Sequence, residues 1–278
     1  MTPRPVLGVP VRDASQLGGG AVWVQLADER TVVVKTGQPS AVAAETAGLR
    51  WIQVPDGPPV PALLATERDH LVMEFVPTGP PTEAAAAALG RGLAALHAAG
   101  APAFGAAPPG GQPDAWIGRA AMRNVEAPDW PTWYATDRVL PYLRQAYDTG
   151  DVTGEDAAVV EQVCDRLPEL AGPTEPVARL HGDLWSGNVL WSGDEAWIID
   201  PAAHGGHRET DLAMLALFGC SHLDVLRSAY TDATPLADSW RERVPLHQLF
   251  PLLVHVVLFG RGYAARAVAA AHATLRVG

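Results

Sequence analysis

One short run constrains this chain more than any other. It is His181-Gly182-Asp183-Leu184-Trp185-Ser186-Gly187-Asn188, continued by Val189-Leu190, a turn, and Trp197-Ile198-Ile199-Asp200-Pro201. The apolar stretches on either side read as strands, so the run is a strand–loop–strand unit. Asp183 and Asn188 lie five residues apart on the loop, and the hairpin after them returns Asp200 toward both. A phosphoryl-transfer site needs such a set: one carboxylate to orient an attacking hydroxyl, and an amide with a second carboxylate to hold Mg²⁺ against nucleotide phosphates. A single Gly-Asp step is more often a turn than a site. Three oxygen-bearing positions in this order and context are not explained by turns.

The same run matches the H-x-D-x-x-x-x-N catalytic loop of kinases, with Asp200 where the aspartate of D-F-G stands. Gly182 replaces the usual arginine of protein kinases. That removes the residue that meets a phosphorylated activation loop, and it points toward the aminoglycoside- and choline-kinase side of the superfamily. Upstream, Lys35 ends a predicted strand and Glu45 lies on the helix that follows, so their ion pair is expected to hold the lysine against the phosphates. Gly18, Gly19 and Gly20 are candidates for a phosphate loop, although they do not satisfy G-x-G-x-x-G and can equally be a flexible turn. Glu74 and Val76 flank Phe75 at an expected hinge, where backbone groups would meet the adenine edge.

The rest of the chain fits a small mixed lobe followed by a helical one. Ala21–Leu26, a turn at 27–30 and Thr31–Lys35 predict a hairpin. Ser40 is expected to cap a helix through Ile52, and a second strand pair is expected at Ala62–Ala65 and His70–Val76. Pro77-Thr78-Gly79-Pro80-Pro81 is a break. Beyond it Thr82 caps a predicted helix whose Leu89, Leu93 and Leu96 recur at helical spacing, with Gly100 as its stop. Residues 101–115 read as a long Gly/Pro loop, a kind usually functional or mobile. Helices are expected over 130–149, 154–170, 207–218, 223–230 and 246–275. The expected fold is α+β, a two-lobed protein-kinase-like chain with residues 1–76 as a β-rich N-lobe and 77–278 as a mainly helical C-lobe carrying the catalytic loop and substrate pocket.

Composition narrows the partners. The 278 residues carry a formal net charge of −11, which disfavours nucleic acid and anionic membrane surfaces, since polyanion binders need basic patches. It leaves a local nucleotide pocket open. No apolar run approaches the roughly 20 residues of a membrane span, and the first residues show no secretory signal pattern. A soluble, cytoplasmic protein is expected. Cys164 and Cys220 are too few for a disulfide framework and read as buried thiols. Nothing marks an oligomer surface. The nine tryptophans are expected in the core rather than at a protein interface.

Three segments carry a family resemblance: HGDLWSGNVL at 181–190, IDPAAHGGHRETDLAMLALFG at 199–219 and LFGRGYAARAV at 258–268, with weaker support from AAETAGLRW at 43–51 and VPALLA at 60–65. Together they make the chain resemble the fructosamine (ketoamine) kinases. Trp185 and Ser186 are the positions that separate it from aminoglycoside-type kinases. The resemblance implies ATP and Mg²⁺ as cofactors and a glycated amine as substrate, phosphorylated on the sugar 3-hydroxyl to give an unstable product that releases the amine. It implies Asp183 as base, Asn188 and Asp200 as metal ligands, and Lys35 as a phosphate contact. Trp185, His181 and Glu209 would contact substrate, and Asp211 would support the catalytic-loop backbone. His207 and Arg208 would stand at the pocket rim or on the polar surface. The family's GGSIN-like phosphate loop is not matched here, and no cysteine lies in that loop, so no redox switch is expected there. The alternatives are an aminoglycoside- or choline-type kinase of the same fold, and a non-catalytic nucleotide-binding pseudokinase. The intact Asp183, Asn188, Asp200 and Lys35 weigh against the last.

Overall fold

A computed structural model describes residues 5–277; Met1–Arg4 at the start of the expected N-lobe, and Gly278, lie outside the described residues. The chain begins with three antiparallel strands, β1 (Val11–Gly18), β2 (Ala21–Leu26) and β3 (Thr31–Thr36), then helix α1 (Pro39–Trp51), then β4 (Leu63–Thr66) and β5 (His70–Glu74). They form one sheet in the order β1-β2-β3-β5-β4. The β2–β3 hairpin lies where alternation of apolar residues places it. β1 was not expected, because all but its first residue are exposed and its Arg12-Asp13-Ala14-Ser15-Gln16 sequence carries no apolar period. It is an edge strand held by backbone pairing to β2. Ser40 is not a cap. Gln38 takes that position without a side-chain bond, and Pro39 opens the helix, where its missing N–H costs nothing.

The sheet has two unequal faces. Val24, Leu26, Val32 and Val72 form a small cluster on one side. On the other, Leu71 and Met73 join Val42 and Leu49 of α1 and Ile52 at its C-terminal end, and this cluster continues into the second lobe through Leu89 and Leu93 of helix α2 (Glu83–Ala98), Leu184 and Leu212. One apolar core therefore runs beneath the cleft, and burial on this scale is the main stabilising term for both lobes. Thr82 caps α2, its Oγ1 accepting from Ala85 N at 3.1 Å.

After the 101–113 loop comes a short hairpin, β6 (Asp114–Ile117) and β7 (Ala120–Arg123), which the glycine- and proline-rich sequence around it concealed. Helix α3 (Trp130–Trp133), a π-helical stretch (Tyr134–Val139) and α4 (Leu140–Asp148) follow without a break, then α5 (Gly154–Asp165) and α6 (Leu167–Leu170). The catalytic-loop region is β8 (Ala178–Leu180), a 3₁₀ turn (Ser186–Asn188), β9 (Val189–Ser192), β10 (Glu195–Ile198) and β11 (His204–Gly206). Helices α7 (Glu209–Leu217), α8 (Leu223–Ala233), α9 (Trp240–Phe259) and α10 (Ala264–Val277) complete the chain. Gly260 separates α9 from α10, with φ of 80°, which splits the single helical stretch expected over 246–275.

Two prolines, Pro245 and Pro251, lie inside α9. Proline removes a helix hydrogen bond and crowds the preceding turn. Buried Tyr134 inserts its hydroxyl beside this distortion, donating to Leu246 O at 2.9 Å and accepting from Phe250 N at 3.2 Å. Those two groups would otherwise pair with each other along the helix.

α7 is fixed to α9 by a buried ion pair. Arg243 Nε donates to Glu209 Oε2 at 2.9 Å and Arg243 Nη2 to Oε1 at 2.6 Å. His247 Nε2 stands 3.3 Å from Glu209 Oε2. Burial pushes the Glu209 carboxyl up, but His247 and Arg243 outweigh it and pull it down to about 2. A carboxyl depressed on folding adds stability that is present above its unfolded value of about 4.5 and is lost as pH falls toward 2. Glu209→Gln strands the Arg243 charge in the interior and is expected to cost about 3–5 kcal/mol at pH 7. In urea titrations the gap between wild type and variant narrows steadily from pH 4.5 downward; a gap that stays constant to pH 2.5 would contradict the assignment.

Candidate active site

Lys35 sits near the end of β3 and Glu45 one and a half turns into α1, and the short Gly37-Gln38-Pro39 link turns the helix back over the strand. Lys35 Nζ lies 2.9 Å from Glu45 Oε1 and 2.8 Å from Oε2, and 2.9 Å from Asp200 Oδ1. The lysine thus joins the sheet, its helix and the second lobe. Burial works against the ammonium, yet the carboxylates of Glu45 and Asp200 more than offset it, so the Lys35 pKa is raised and the group stays charged.

Asp200 follows β10 with φ of 56°. The left-handed region is uncommon for residues other than glycine, though aspartate is among those that enter it. The preceding residue is anchored, Ile199 N donating to Asn188 O at 3.1 Å. Asn188 in turn is fixed by its amide nitrogen, which donates to Asp183 O at 2.8 Å and to Asp183 Oδ2 at 3.1 Å. With Nδ2 so used, Asn188 Oδ1 remains as a free acceptor. Burial raises the Asp183 carboxyl to about 7, against the lowering effect of the Asn188 hydrogen bond.

The loop backbone is held from below. Asp211, fully buried on α7, accepts from His181 N at 2.8 Å and Gly182 N at 3.0 Å, and His97 Nε2 of α2 lies 3.2 Å from it. His181 is also fully buried. Its Nε2 meets Ile199 O at 2.9 Å and its Nδ1 accepts from Asp183 N at 3.3 Å, which assigns the neutral Nε2–H tautomer; burial lowers its pKa in the same sense. At Gly182 φ is +82°, and any Cβ would collide with the Ala202 carbonyl. No side chain fits here, which gives a steric reason for the absence of arginine.

A cavity opens between these elements, lined by Lys35 and Glu45, by Asp183 and Asp200, and by Trp116 and Asn124 from the β6–β7 hairpin and its end. Sequence reading missed these last two. The only signal was the length of the loop at 101–115; Trp116 directly follows it, and Asn124 comes after the hairpin.

Other expected site residues are elsewhere. Glu209 does not line the cavity: its carboxylate is taken up by Arg243, so it is not free to meet a ligand. His181 keeps its ring for the loop backbone. Trp185 is 38 % exposed and packs edge-on against Phe218 at 6.1 Å. Gly19 and Gly20 form the two-residue turn of the β1–β2 hairpin, with φ of 59° and 82°. Hairpin turns of this length favour positive φ at both positions, so the turn alone accounts for those two glycines; Gly18 pairs with Ala21. Glu74 belongs to β5, opposite Val32, and its N–H is already bonded to Ala62 O; Val76 is buried. Arg208 is half-buried against Glu175, with two 2.7 Å hydrogen bonds, and His207 is buried against Trp130 and His247. Ligand atoms of His207, Glu209 and His247 all lie within 4.8 Å of one another, but Arg243 already occupies the carboxylate and opposes a cation there. Cys164 and Cys220 are free and half-buried, and burial pushes their thiols up to about 12 and about 11. Among the described residues no helix is long and apolar enough to cross a membrane.

Comparison with known proteins agrees with this arrangement. The fructosamine kinase family model matches residues 7–276. An Enterococcus faecium protein described as a ketoamine kinase is 33 % identical over 200 residues, spanning 71 % of this chain and 69 % of that one. The chloroplastic protein-ribulosamine 3-kinase of Arabidopsis thaliana is 32 % identical over 271 residues, 91 % of this chain and 79 % of its own. A crystal structure from Thermobifida fusca YX-ER1, described as a fructosamine-3-kinase, superposes with a TM-score of 0.91 at 48 % identity, covering 97 % of this chain and 95 % of that one. The aminoglycoside phosphotransferase APH(2")-IIa in its gentamicin complex shares the fold alone, at a TM-score of 0.62 and 12 % identity over 97 % of this chain and 92 % of that one. The two-lobed architecture is therefore kinase-like, and with a family match over nearly its whole length the chain belongs to the fructosamine kinases, a family of phosphotransferases.

Proposed function

We propose that this protein transfers the γ-phosphoryl group of ATP to a sugar hydroxyl of a ketoamine, a fructosamine or ribulosamine adduct carried on a free amine or a protein. The observation that carries this reading is the convergence of Asp183, Asp200, Lys35 and Glu45 on one cavity, with Asn188 hydrogen-bonded to Asp183, in a chain of this family. Residues 1–76 are taken as the lobe that grips the nucleotide, and 77–278 as the lobe that supplies the acceptor site.

In this mechanism Asp183 accepts a hydrogen bond from the acceptor hydroxyl and aligns it for in-line attack. Its buried carboxylate is held by Asn188 and therefore loses little freedom on reaction. Lys35, kept charged by Glu45 and Asp200, offers its ammonium to the phosphate oxygens. The donor set fits Mg²⁺: Asn188 Oδ1 and the Asp200 carboxylate are hard oxygen ligands, and a small ligand number suits an ion that retains water and phosphate. When bound, Mg²⁺ would neutralise charge on the phosphates. Asp211 keeps the loop in place without touching the reactants. Phosphoryl transfer asks little covalent chemistry of a protein, so positioning and charge account for most of the rate.

Two outcomes follow. Asp183→Asn preserves the shape and the ADP affinity measured by calorimetry, and lowers kcat by about 10²–10⁴-fold; full turnover in this variant would remove Asp183 from its role. The acceptor is tested by ADP release with Mg-ATP and a panel of ribulosyl-lysine, fructosyl-lysine, an aminoglycoside and choline. Turnover is expected with the ketoamines. Turnover confined to the aminoglycoside or choline would keep the kinase and discard the substrate class, and ATP binding with no turnover on any acceptor would point to a pseudokinase.

A further inference from the structure

The lining of the cavity is of two chemical kinds. Glu45, Asp183 and Asp200 present carboxylate oxygens, with Lys35 between two of them. Trp116 and Asn124 also line the cavity, and in each the available polar atom is a donor. Trp116 Nε1 and Asn124 Nδ2 are both buried atoms without a hydrogen-bond partner in the protein. An indole N–H can only donate. Asn124 is 6 % exposed, and a buried amide left unpaired costs free energy unless a ligand or water completes it.

The orientation of the Asn124 amide follows from chemistry. Arg138 Nη2 lies 3.0 Å from Asn124 Oδ1. Guanidinium has donors only, so the atom facing it must be the oxygen and the remaining amide atom must be nitrogen. The backbone is fixed as well, with Asn124 N donating to Pro113 O at 2.7 Å. Arg138 itself is fully buried in the π-helical stretch between α3 and α4, over the Trp133 ring at 4.4 Å. Its other hydrogen bonds go to the carbonyls of Arg123 and Asp137; no carboxylate among the described residues pairs with it. A buried cation without an anionic partner is costly. Here it polarises the Asn124 amide and strengthens Nδ2 as a donor.

We propose that Asn124 and Trp116 form the acceptor-recognition face of the cavity, donating hydrogen bonds to oxygen atoms of the acceptor sugar while Asp183 takes its reacting hydroxyl, and that Arg138 is the positioning residue that fixes the Asn124 amide. The matching ligand is a polyhydroxylated carbonyl or hydroxyl compound, with lone pairs turned to the hairpin and a hydroxyl proton turned to the carboxylates. This inference rests on the reading of Asp183 as the group that meets the acceptor.

Asn124→Asp is the decisive variant. It keeps the side-chain shape and gives Arg138 a carboxylate partner, so the melting temperature does not fall, but it replaces the donor by an acceptor. The expected result is a KM for fructosyl-lysine raised about tenfold or more, with the KM for ATP and the calorimetric ADP affinity unchanged. Asn124→Ala shows the same split more mildly. Arg138→Gln, whose amide can present either atom and so frees Asn124 to flip, also raises the acceptor KM and leaves the ATP KM alone; a purely structural role would instead lower the melting temperature and both affinities together. An acceptor KM within twofold of wild type in both Asn124 variants, or a parallel loss of ADP affinity, overturns the proposal. Failure of the wider reading looks different: the wild type then leaves fructosyl-lysine untouched, and the same variants are measured with whichever panel acceptor it does phosphorylate. If it phosphorylates none, the recognition face falls with the function.

Discussion

Everything in the cleft depends on one ammonium group held by two carboxylates. Lys35 comes from the sheet, Glu45 from the helix packed on it, and Asp200 from the other lobe. A lone buried lysine would shed its proton. With two acids within 3 Å it keeps its charge, and the three elements are drawn into a fixed relation before any nucleotide arrives. Because the contact is partly buried, salt screens it far less than a surface pair. The apolar core beneath the cleft makes the same connection by other means, since Val42 and Leu49 of α1 share a cluster with Leu89 and Leu93 of α2.

The second lobe answers a harder problem, which is to hold a loop of polar backbone in the interior. Asp211 solves it with one carboxylate that binds two consecutive N–H groups and faces His97. Arg179, on β8 just before the loop, reaches Trp51 O at 2.9 Å and Gly100 O at 3.2 Å and stacks on the Trp51 ring. It ties the ends of α1 and α2 to the strand that feeds the loop. The backbone leading into Asp183 is therefore held by Asp211 and Arg179, neither of which lines the cavity.

Much of this was legible in the sequence, for identifiable reasons. The β2–β3 hairpin, α2 and the 181–200 unit each carry their signal locally, in alternation, a capping threonine, or a spaced motif. What escaped has no local signal. β1 is exposed and polar, and only its pairing with β2 makes it a strand. The β6–β7 hairpin lies beside a run of glycine and proline that reads as loop. Glu209 looked available because its partner Arg243 is 34 residues away on another helix. Asn124 gave no hint beyond the long loop upstream of it, since its meaning comes from Arg138, a cavity wall and an unpaired N–H that only the folded chain brings together. The glycines at 19 and 20 are ambiguous for the opposite reason: a hairpin turn wants them as much as a phosphate loop does.

Gly182 has a consequence for control. The Ala202 carbonyl fills the space where a side chain would be, and only residues 199–208 separate β10 from α7. There is no long segment there to swing out, and no arginine to catch a phosphate placed on one. Protein kinases use such parts as a brake. In a chain built like this one that particular brake has neither lever nor catch: position 182 offers a phosphate no side chain, and ten residues are all that link β10 to α7.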